Sequence, residues 1–557
     1  MNEEHFQTDL LIIGGGVAGL NAAITARESG QNVLIMDKAV IERSGHTAGG
    51  IDHFLAYLDT GPAWDTREAY LELTARSARG ATDISVVEKV YCDELKGAIH
   101  RFDNIGCTLR TTDGTFFRTQ SYGQPGPWYI NFNGKRMKPL LSKAAREAGC
   151  RVLDRVVTGD LLVRNGEICG AAGFHIREGT FYVIHSKAVV LATGGTNRLY
   201  QNPTGLSFNC WMCPANTGDG EAMAFRAGAR LANVEYLRMS VVPRGFSAAG
   251  LNALVGMGAK LVNGRGEEFM ERYDPLGMQG PRYKLVQGVL GELKAHRGPV
   301  YIDCRHLDPE AMSHLVTTLG YDKDTLPDYF EQKNLDLTKD LMEIATSEGM
   351  QGGPSELCGS GIKINEECAT NVPGLFAAGN SADQCRCLHL AVTSGIHAGR
   401  MASTYVKEKA KPAPLPDQQV KEIRDRLFAT IEGAGSVSWK EFEDVLQRTL
   451  TEGMGPVRSA WGMDKAWKNL DLIEKWKDQV KVHDYHDLCR VQEVYNMITV
   501  ARCMISAALF RKESRFGQCH YRLDFPETDD SKWLGQVTIS RDQNGQPLPD
   551  FLPLNYD

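Results

Sequence analysis

No apolar run in the 557-residue chain reaches the ~18 residues needed to cross a bilayer; the longest candidate, Leu10 to Leu20, is broken by Gly14, Gly15, Gly16 and Gly19. There is no basic excess either. With 62 Lys and Arg against 69 Asp and Glu, the net charge of −7 excludes a general affinity for nucleic acid or anionic lipid. The 14 cysteines lack the closely repeated C-x₂-C spacing of a ferredoxin run, and they are too irregular for a disulfide framework. The start, Met1-Asn-Glu-Glu, is acidic and runs at once into a strand pattern, so no signal peptide is expected and the cytoplasm is the expected compartment. Internal repeats and low-complexity tracts are missing too. An ordinary globular composition remains, long enough for about three domains.

Glycine is plentiful, with 57 residues, and it is placed with meaning. Leu10-Leu-Ile-Ile13 reads as a buried strand, Gly14-Gly-Gly-Val-Ala-Gly19 as a turn, Leu20 to Ser29 as a helix, and Asn32-Val-Leu-Ile-Met36 as a second strand ending at Asp37. This is a βαβ unit carrying a dinucleotide fingerprint. Gly14 permits the tight turn, Gly16 lets backbone approach a pyrophosphate, and Gly19 allows close helix–strand packing. Val17 and Ala18 open the helix whose N-terminus faces the phosphates, and Asp37 stands where a ribose-binding acid is expected. On this motif alone NAD, FAD and a nucleotide-free relic remain open. Two later strand-end turns, Ala192-Thr193-Gly194-Gly195 and Ala378-Gly379-Asn380-Ser381, favour one long dinucleotide clasped by separate segments.

The boundaries expected are 1–238 and 351–410 for a split dinucleotide-binding domain, 239–350 for an inserted capping domain, and 417–557 for a helical domain with a tail. The stiff segment Lys411-Pro-Ala-Pro-Leu-Pro416 precedes the last. The fold class expected is α/β, with a Rossmann-like domain, an α+β cap and a helical C-terminal domain.

Together, Asp37-Lys38, Ser44-Gly45-His46-Thr47, Ala192-Thr-Gly-Gly195, Asn216-Thr-Gly-Asp-Gly220, Pro373-Gly-Leu-Phe-Ala-Ala-Gly379 and Tyr521-Arg-Leu-Asp-Phe-Pro526 resemble the succinate dehydrogenase and fumarate reductase flavoprotein superfamily. Within it, Glu42-Arg-Ser-Gly45, Trp211 and Arg297-Gly-Pro-Val-Tyr-Ile-Asp303 resemble the adenylylsulfate reductase flavoprotein. The resemblance implies FAD. It adds Lys38, Ser44, Gly45, His46, Thr47, Gly49, Gly50, Asp219, Ser394 and Gly395 to the cofactor-binding residues. An extra glycine, Gly45, displaces His46 from the position at which some relatives attach flavin covalently, so His46 is read as a polar contact and the FAD as non-covalent.

By the same resemblance, Arg282 in Gly280-Pro-Arg-Tyr-Lys284 matches the superfamily's active-site arginine, and Arg244 resembles an anion-binding arginine. Two histidine clamps and a following arginine are replaced, by Leu237-Arg-Met-Ser-Val-Val242, Pro354-Ser-Glu-Leu-Cys358 and Leu388-His-Leu-Ala-Val-Thr393. Fumarate and succinate are therefore set aside, and Glu356 and Cys358 are taken as substrate contacts, with His389 and His397 as further acid–base candidates. No metal site is expected. Cys210-x-x-Cys213 and Cys385-x-Cys387 read as buried thiols or a redox pair, and His483-x-x-His486-x-x-Cys489 as a surface helix.

The expected activity is that of an FAD-dependent oxidoreductase subunit. It exchanges two electrons with a small anionic substrate, as in adenylylsulfate reductase, and single electrons with a ferredoxin-like [4Fe-4S] subunit in a hetero-oligomer. The alternatives are reduction of an activated C=C bond and a substrate-free electron-transfer subunit. The helices bearing Trp461, Trp467 and Trp476, and the tail from Trp533 to Asp557, are the expected docking surfaces.

Overall fold

The computed structural model describes residues 2–206, 208–322, 324–353, 355, 357–431 and 435–556, with only the backbone at 478. Its frame is a seven-stranded mixed sheet. Strand β1 (Glu3–Ile13) pairs in parallel with β2 (Val33–Asp37) and with the strand Phe181–Leu191, in register Ile13↔Leu191. Leu375–Ala377 pairs in parallel with the same strand, Ala377 opposite Leu191. Three strands distant in sequence thus end at one level. The turns that follow them, at Gly14, Ala192–Gly194 and Gly379, gather at the carboxyl edge of the sheet, where open α/β folds bind ligands. The hairpin Val156–Arg164 and Glu167–His175 extends the sheet antiparallel to Phe181–Leu191.

Helix α1 (Val17–Glu28) is buried along most of its length. Close approach on both sides explains its small residues. A Cβ on Gly19 would stand 1.9 Å from the Gly14 carbonyl oxygen. On the opposite side, a Cβ on Gly395 or Gly399 of the long helix Cys387–Glu408 would stand 2.4 or 2.5 Å from the Ala18 or Ala22 carbonyl oxygen. Two glycines four residues apart make a groove along one helix face, into which α1 settles.

A separate antiparallel sheet, ordered Val241–Pro243, Met342–Thr346, Val300–Asp303 and Lys260–Val262, forms the inserted unit with the helices Arg282–Lys294 and Pro309–Asp322. Leu237–Arg238 and Met350–Gln351 pair antiparallel where the chain enters and leaves it. At the C-terminal end, Tyr485–Phe510 is a 26-residue helix, buried along much of its length, with Trp439–Gly453 and Ala460–Glu474 packed against it.

The tail is built into a sheet. Gly535–Arg541 pairs with Leu231–Ala232, in the sheet that also holds Gly361–Ile362 and Pro547–Pro553, while Trp533 packs edge-on against Phe510 and Phe551. Val537 and Ile539 are buried in it, while Leu548 and Leu552 stay exposed. Among the described residues, no helix is long and apolar enough to cross a membrane.

Candidate active site

A cavity of about 1690 Å³, counting its open mouth, lies along the carboxyl edge of the main sheet. Its lining runs from the three strand-end turns to residues of the inserted unit, Leu251, Asn252 and Arg282 among them. Gly14, Gly16, Val17 and Ala18 line it from the first turn, Ala192, Thr193 and Gly194 from the second, and Gly379 and Asn380 from the third. The backbone at Gly14 has φ +101°, and a Cβ there would lie 2.4 Å from the Ala192 carbonyl oxygen, so both conformation and space demand glycine. A Cβ on Gly16 would meet nothing closer than 3.8 Å: that space belongs to the cavity. The buried Thr193 Oγ1 has no hydrogen-bond partner among the described residues. A cradle open at Gly16 and a hydroxyl without a partner fit the pyrophosphate of a dinucleotide.

Asp37 is the hub of this turn. Its carboxylate accepts from the backbone N–H of Gly15 at 2.6 Å and of Ala39 at 2.7 Å, and from Ser44 Oγ at 2.9 Å. Below the turn, the fully buried Lys138 ammonium donates to the Gly15 carbonyl, and burial pulls it down to about 8. Gly45, His46 and Thr47 also line the cavity, with His46 Nδ1 accepting from the Cys213 N–H at 3.2 Å.

Lys38 and Asp219 line the cavity as an ion pair at 2.7 Å, and Lys38 also reaches Glu493 at 2.9 Å. Burial alone would depress the Lys38 ammonium, but the two carboxylates outweigh it and hold it above its ordinary value. Arg198 joins Glu493 to Glu443, tying the cavity wall to two C-terminal helices. For Glu493 burial pushes upward, and Lys38, Arg198 and Arg490 override it, taking the carboxyl to about 2. Glu493→Gln should cost about 3–5 kcal/mol by leaving buried cations unpaired. Because the folded-state value lies below the ordinary 4.5, the stabilisation is complete above about pH 4.5 and fades as pH falls toward 2. Thermal melts of wild type and variant from neutral pH into this range should therefore converge.

Several expected contacts lie elsewhere. Gly19, Ser394 and Gly395 are packing positions: Ser394 Oγ accepts from the Gly379 N–H at 2.9 Å and so shapes the third turn from behind. Gly49 is exposed, and Gly50 packs on the cap, where a Cβ would stand 2.0 Å from the Asp322 carbonyl oxygen. Arg244 is 67% exposed and ion-paired to Glu343 on the cap surface, away from the cavity. Cys358 is packed with Ala78, Ala81, Tyr236 and Cys519, and burial pushes its thiol up to about 12, so it is not a substrate contact. Glu356 lies outside the described residues. His397 is held between Glu94 and the Glu366 carbonyl, and His389 packs edge-on against Phe54 and Tyr91.

Metal-like spacings also separate. Cys489 is buried, whereas His483 is on the surface, bonded to Asp487. Among the described residues, the one clustering of three metal-type ligands is Asp484, His486 and Asp487 at the surface.

The far end of the cavity holds what the sequence did not disclose. Arg282, as expected, is there; Arg238 and Arg386 join it. Arg282 donates to Ser240 Oγ at 3.1 Å and to Asn252 Oδ1, and lies over the rings of Tyr122, at 5.0 Å, and Trp211, at 5.9 Å. Arg238 donates to the Ser355 carbonyl at 3.0 Å, and Arg386 precedes the long helix beside the Gln351 carbonyl. Asp52 and His53 also line this end, with Asp322. Three guanidinium groups against two carboxylates leave an excess of positive charge. Glu221, near Arg386, does not offset it near neutral pH, since burial raises that carboxyl to about 8. Arg238 and Arg386 had one faint signal: each is a lone cation in an apolar segment next to a domain crossing or a strand-end turn.

The sequence matches the FAD binding domain family over residues 9–395 and the fumarate reductase flavoprotein C-terminal family over 443–556. An uncharacterised FAD-dependent oxidoreductase of Methanocaldococcus jannaschii is 28% identical, the alignment covering 96% of each chain. The succinate dehydrogenase flavoprotein of Rickettsia bellii is 26% identical over 99% of this chain and 96% of its own. In fold, adenylylsulfate reductase from Archaeoglobus fulgidus superposes with a TM-score of 0.89 at 24% identity, covering 100% of this chain and 97% of that one. E. coli quinol fumarate reductase gives 0.85, also at 24%, covering 100% and 98%. With the clasped dinucleotide cavity, these matches establish that the chain is an FAD-dependent oxidoreductase and belongs to the succinate dehydrogenase and fumarate reductase flavoprotein family.

Proposed function

We propose that this protein exchanges two electrons between FAD and a small anionic substrate held by Arg238, Arg282 and Arg386, and passes them to or from an iron–sulfur partner. The convergence of three buried arginines, from three separate segments, on one end of the FAD cavity carries this reading. Each charge-assisted hydrogen bond to such an anion contributes about 1.5–3 kcal/mol. When bound, the isoalloxazine supplies two-electron exchange with substrate and one-electron exchange with the partner. The residues of the first, second and third turns, with Asp37, Lys38, Ser44 to Thr47 and Asp219, hold the cofactor; His46 serves as a polar contact.

Arg282 donates to Ser240 and Asn252, and its guanidinium lies over two aromatic rings. The arginine-lined end favours an enzyme over a substrate-free electron carrier. It also bears on fumarate-like dicarboxylates, which the sequence disfavours for want of clamps: Arg238 and Arg386 supply counter-charges. Reduction of an activated C=C bond next to a carboxylate is accordingly the second reading, favoured by the His53–Asp52 pair beside the clamps. For the partner, Val457, Trp461, Leu523 and Phe525 stand exposed around the strand pair Val457–Arg458 and Tyr521–Arg522, with Trp461 76% accessible.

Anaerobic absorbance titration with sulfite, with and without AMP, tests the first reading. AMP-dependent bleaching, with electrons appearing on an added iron–sulfur acceptor, supports adenylylsulfate reductase-like chemistry. Absence of an AMP effect, with reoxidation of the reduced protein by fumarate or another enoate, supports the second. Indifference to every anion in both assays removes the arginine-clamp proposal.

A further inference from the structure

The arginine end of the cavity contains a hydrogen-bond chain whose direction is fixed by chemistry. Arg282 is a donor only, and it donates to Asn252 Oδ1. The Tyr122 hydroxyl donates to the same oxygen at 2.8 Å. The amide orientation follows: Asn252 Nδ2, again a donor only, faces His53 Nε2 at 2.9 Å. His53 Nε2 must therefore accept, so the ring is neutral and carries its hydrogen on Nδ1, which donates to Asp52 at 2.5 Å. Every donor in the chain points from Arg282 toward the buried carboxylate of Asp52.

A proton on His53 calls for a different arrangement of this chain. If a proton enters at His53 Nε2, that nitrogen becomes a donor, and the amide must rotate to present Oδ1 to it. The NH₂ group then faces Arg282, donor against donor, and the arginine arm is released toward the cavity. Conversely, an anion that draws Arg282 away from Asn252 removes the restraint on the amide and makes room for the proton on His53. Asp52, directly behind the ring, favours the imidazolium.

We infer that this site binds its anion together with a proton, and that His53 holds that proton and thereby positions Arg282. The inference rests on the anion reading above and deepens it. Binding then takes one H⁺ from solvent onto His53 Nε2 and leaves the Nδ1–H···Asp52 bond in place, so no other reactant is needed. The groups around His53 include Asp52 on its own segment and Tyr129 of the paired strand, 4.6 Å away ring to ring. Asn252, with Arg282 and Tyr122 beyond it, approaches from the cap; Asp322 lines the same cavity. The long helix contributes Cys387 and, against neighbouring Phe54, His389.

The test uses FAD-loaded protein with sulfate and malonate as probes. Binding is followed by perturbation of the flavin absorbance, and proton uptake by a pH indicator in weakly buffered solution. Wild type should take up close to one proton per anion where free His53 is neutral, and its anion affinity should fall by about tenfold per pH unit on the alkaline side. His53→Gln should bind anion with almost no uptake and no such slope. Asp52→Asn, which keeps the imidazole, should move the slope to lower pH and serves as the second variant if His53→Gln does not hold FAD. Anion binding without proton uptake, or uptake unchanged in both variants, overturns this inference and leaves the anion reading intact. No perturbation of wild type by either probe removes the anion reading and this inference with it.

Discussion

Gly19→Ala is expected to strip FAD from the protein and to destabilise the apoprotein, whereas Gly16→Ala is expected to strip FAD alone. The two glycines lie one helical turn apart in the same fingerprint, and their surroundings differ. A methyl group on Gly19 meets the Gly14 carbonyl oxygen at 1.9 Å, an atom of backbone that cannot swing aside. Helix α1 must then lift from the sheet, and overpacking of this kind costs about 1–3 kcal/mol or more. The lift also tilts the helix N-terminus that faces the pyrophosphate. A methyl on Gly16 touches no protein atom closer than 3.8 Å, and the backbone there, at φ −66°, suits alanine. It takes up only the space a phosphate needs, so FAD affinity should fall by at least about tenfold, or ~1.4 kcal/mol, with the apoprotein melting temperature unchanged. Flavin occupancy after purification and melting of the apoproteins separate the two cases. Full occupancy in Gly16→Ala would move the dinucleotide off the first turn.

The contrast also shows what could be read in advance. Periodicity and glycine spacing report backbone constraints, which are local, so the βαβ unit and the three turns were legible from the chain. The family resemblance then fixed the cofactor. It was less reliable for single residues. Gly50, Ser394 and Gly395 sit in matching motifs, yet they serve helix–helix or domain packing around the cavity instead of lining it. Arg244 and Cys358 were chosen because they replace or resemble functional groups along the sequence. The first turns out to solvent against Glu343, and the second turns into a small apolar cluster.

What sequence could not give is convergence. Asp52 and His53 follow the second glycine-rich segment, Asn252 lies in a cap helix, and Arg386 precedes the long helix. None belongs to a motif, and only the folding of the cap over the sheet edge brings them to Arg282. The sequence reads as short of clamps, yet the cavity is lined by Arg238 and Arg386 beside Arg282.

Arg282 is where that convergence should be most costly to disturb. Arg282→Ala is expected to retain FAD and to lose turnover by about 10²–10³-fold, equivalent to ~3–4 kcal/mol of transition-state stabilisation by a preorganised cation. The guanidinium already spends two donors on Ser240 and Asn252 and lies over the rings of Tyr122 and Trp211. In the resting site these contacts hold it at the cavity wall, and the Asn252 contact is the one an incoming anion exchanges for its own. Arg282→Lys keeps the charge but loses the planar fork, so it should recover only part of the loss, with anion affinity restored further than kcat. Arg244→Ala, on the cap surface, should leave occupancy, anion binding and turnover unchanged in parallel assays. Reoxidation kinetics of the reduced protein, using whichever acceptor the anion screen identifies, provide the measurement. Arg282→Ala and Arg244→Ala behaving alike would place the substrate away from the three-arginine end, since Arg282 lines the cavity there and Arg244 does not.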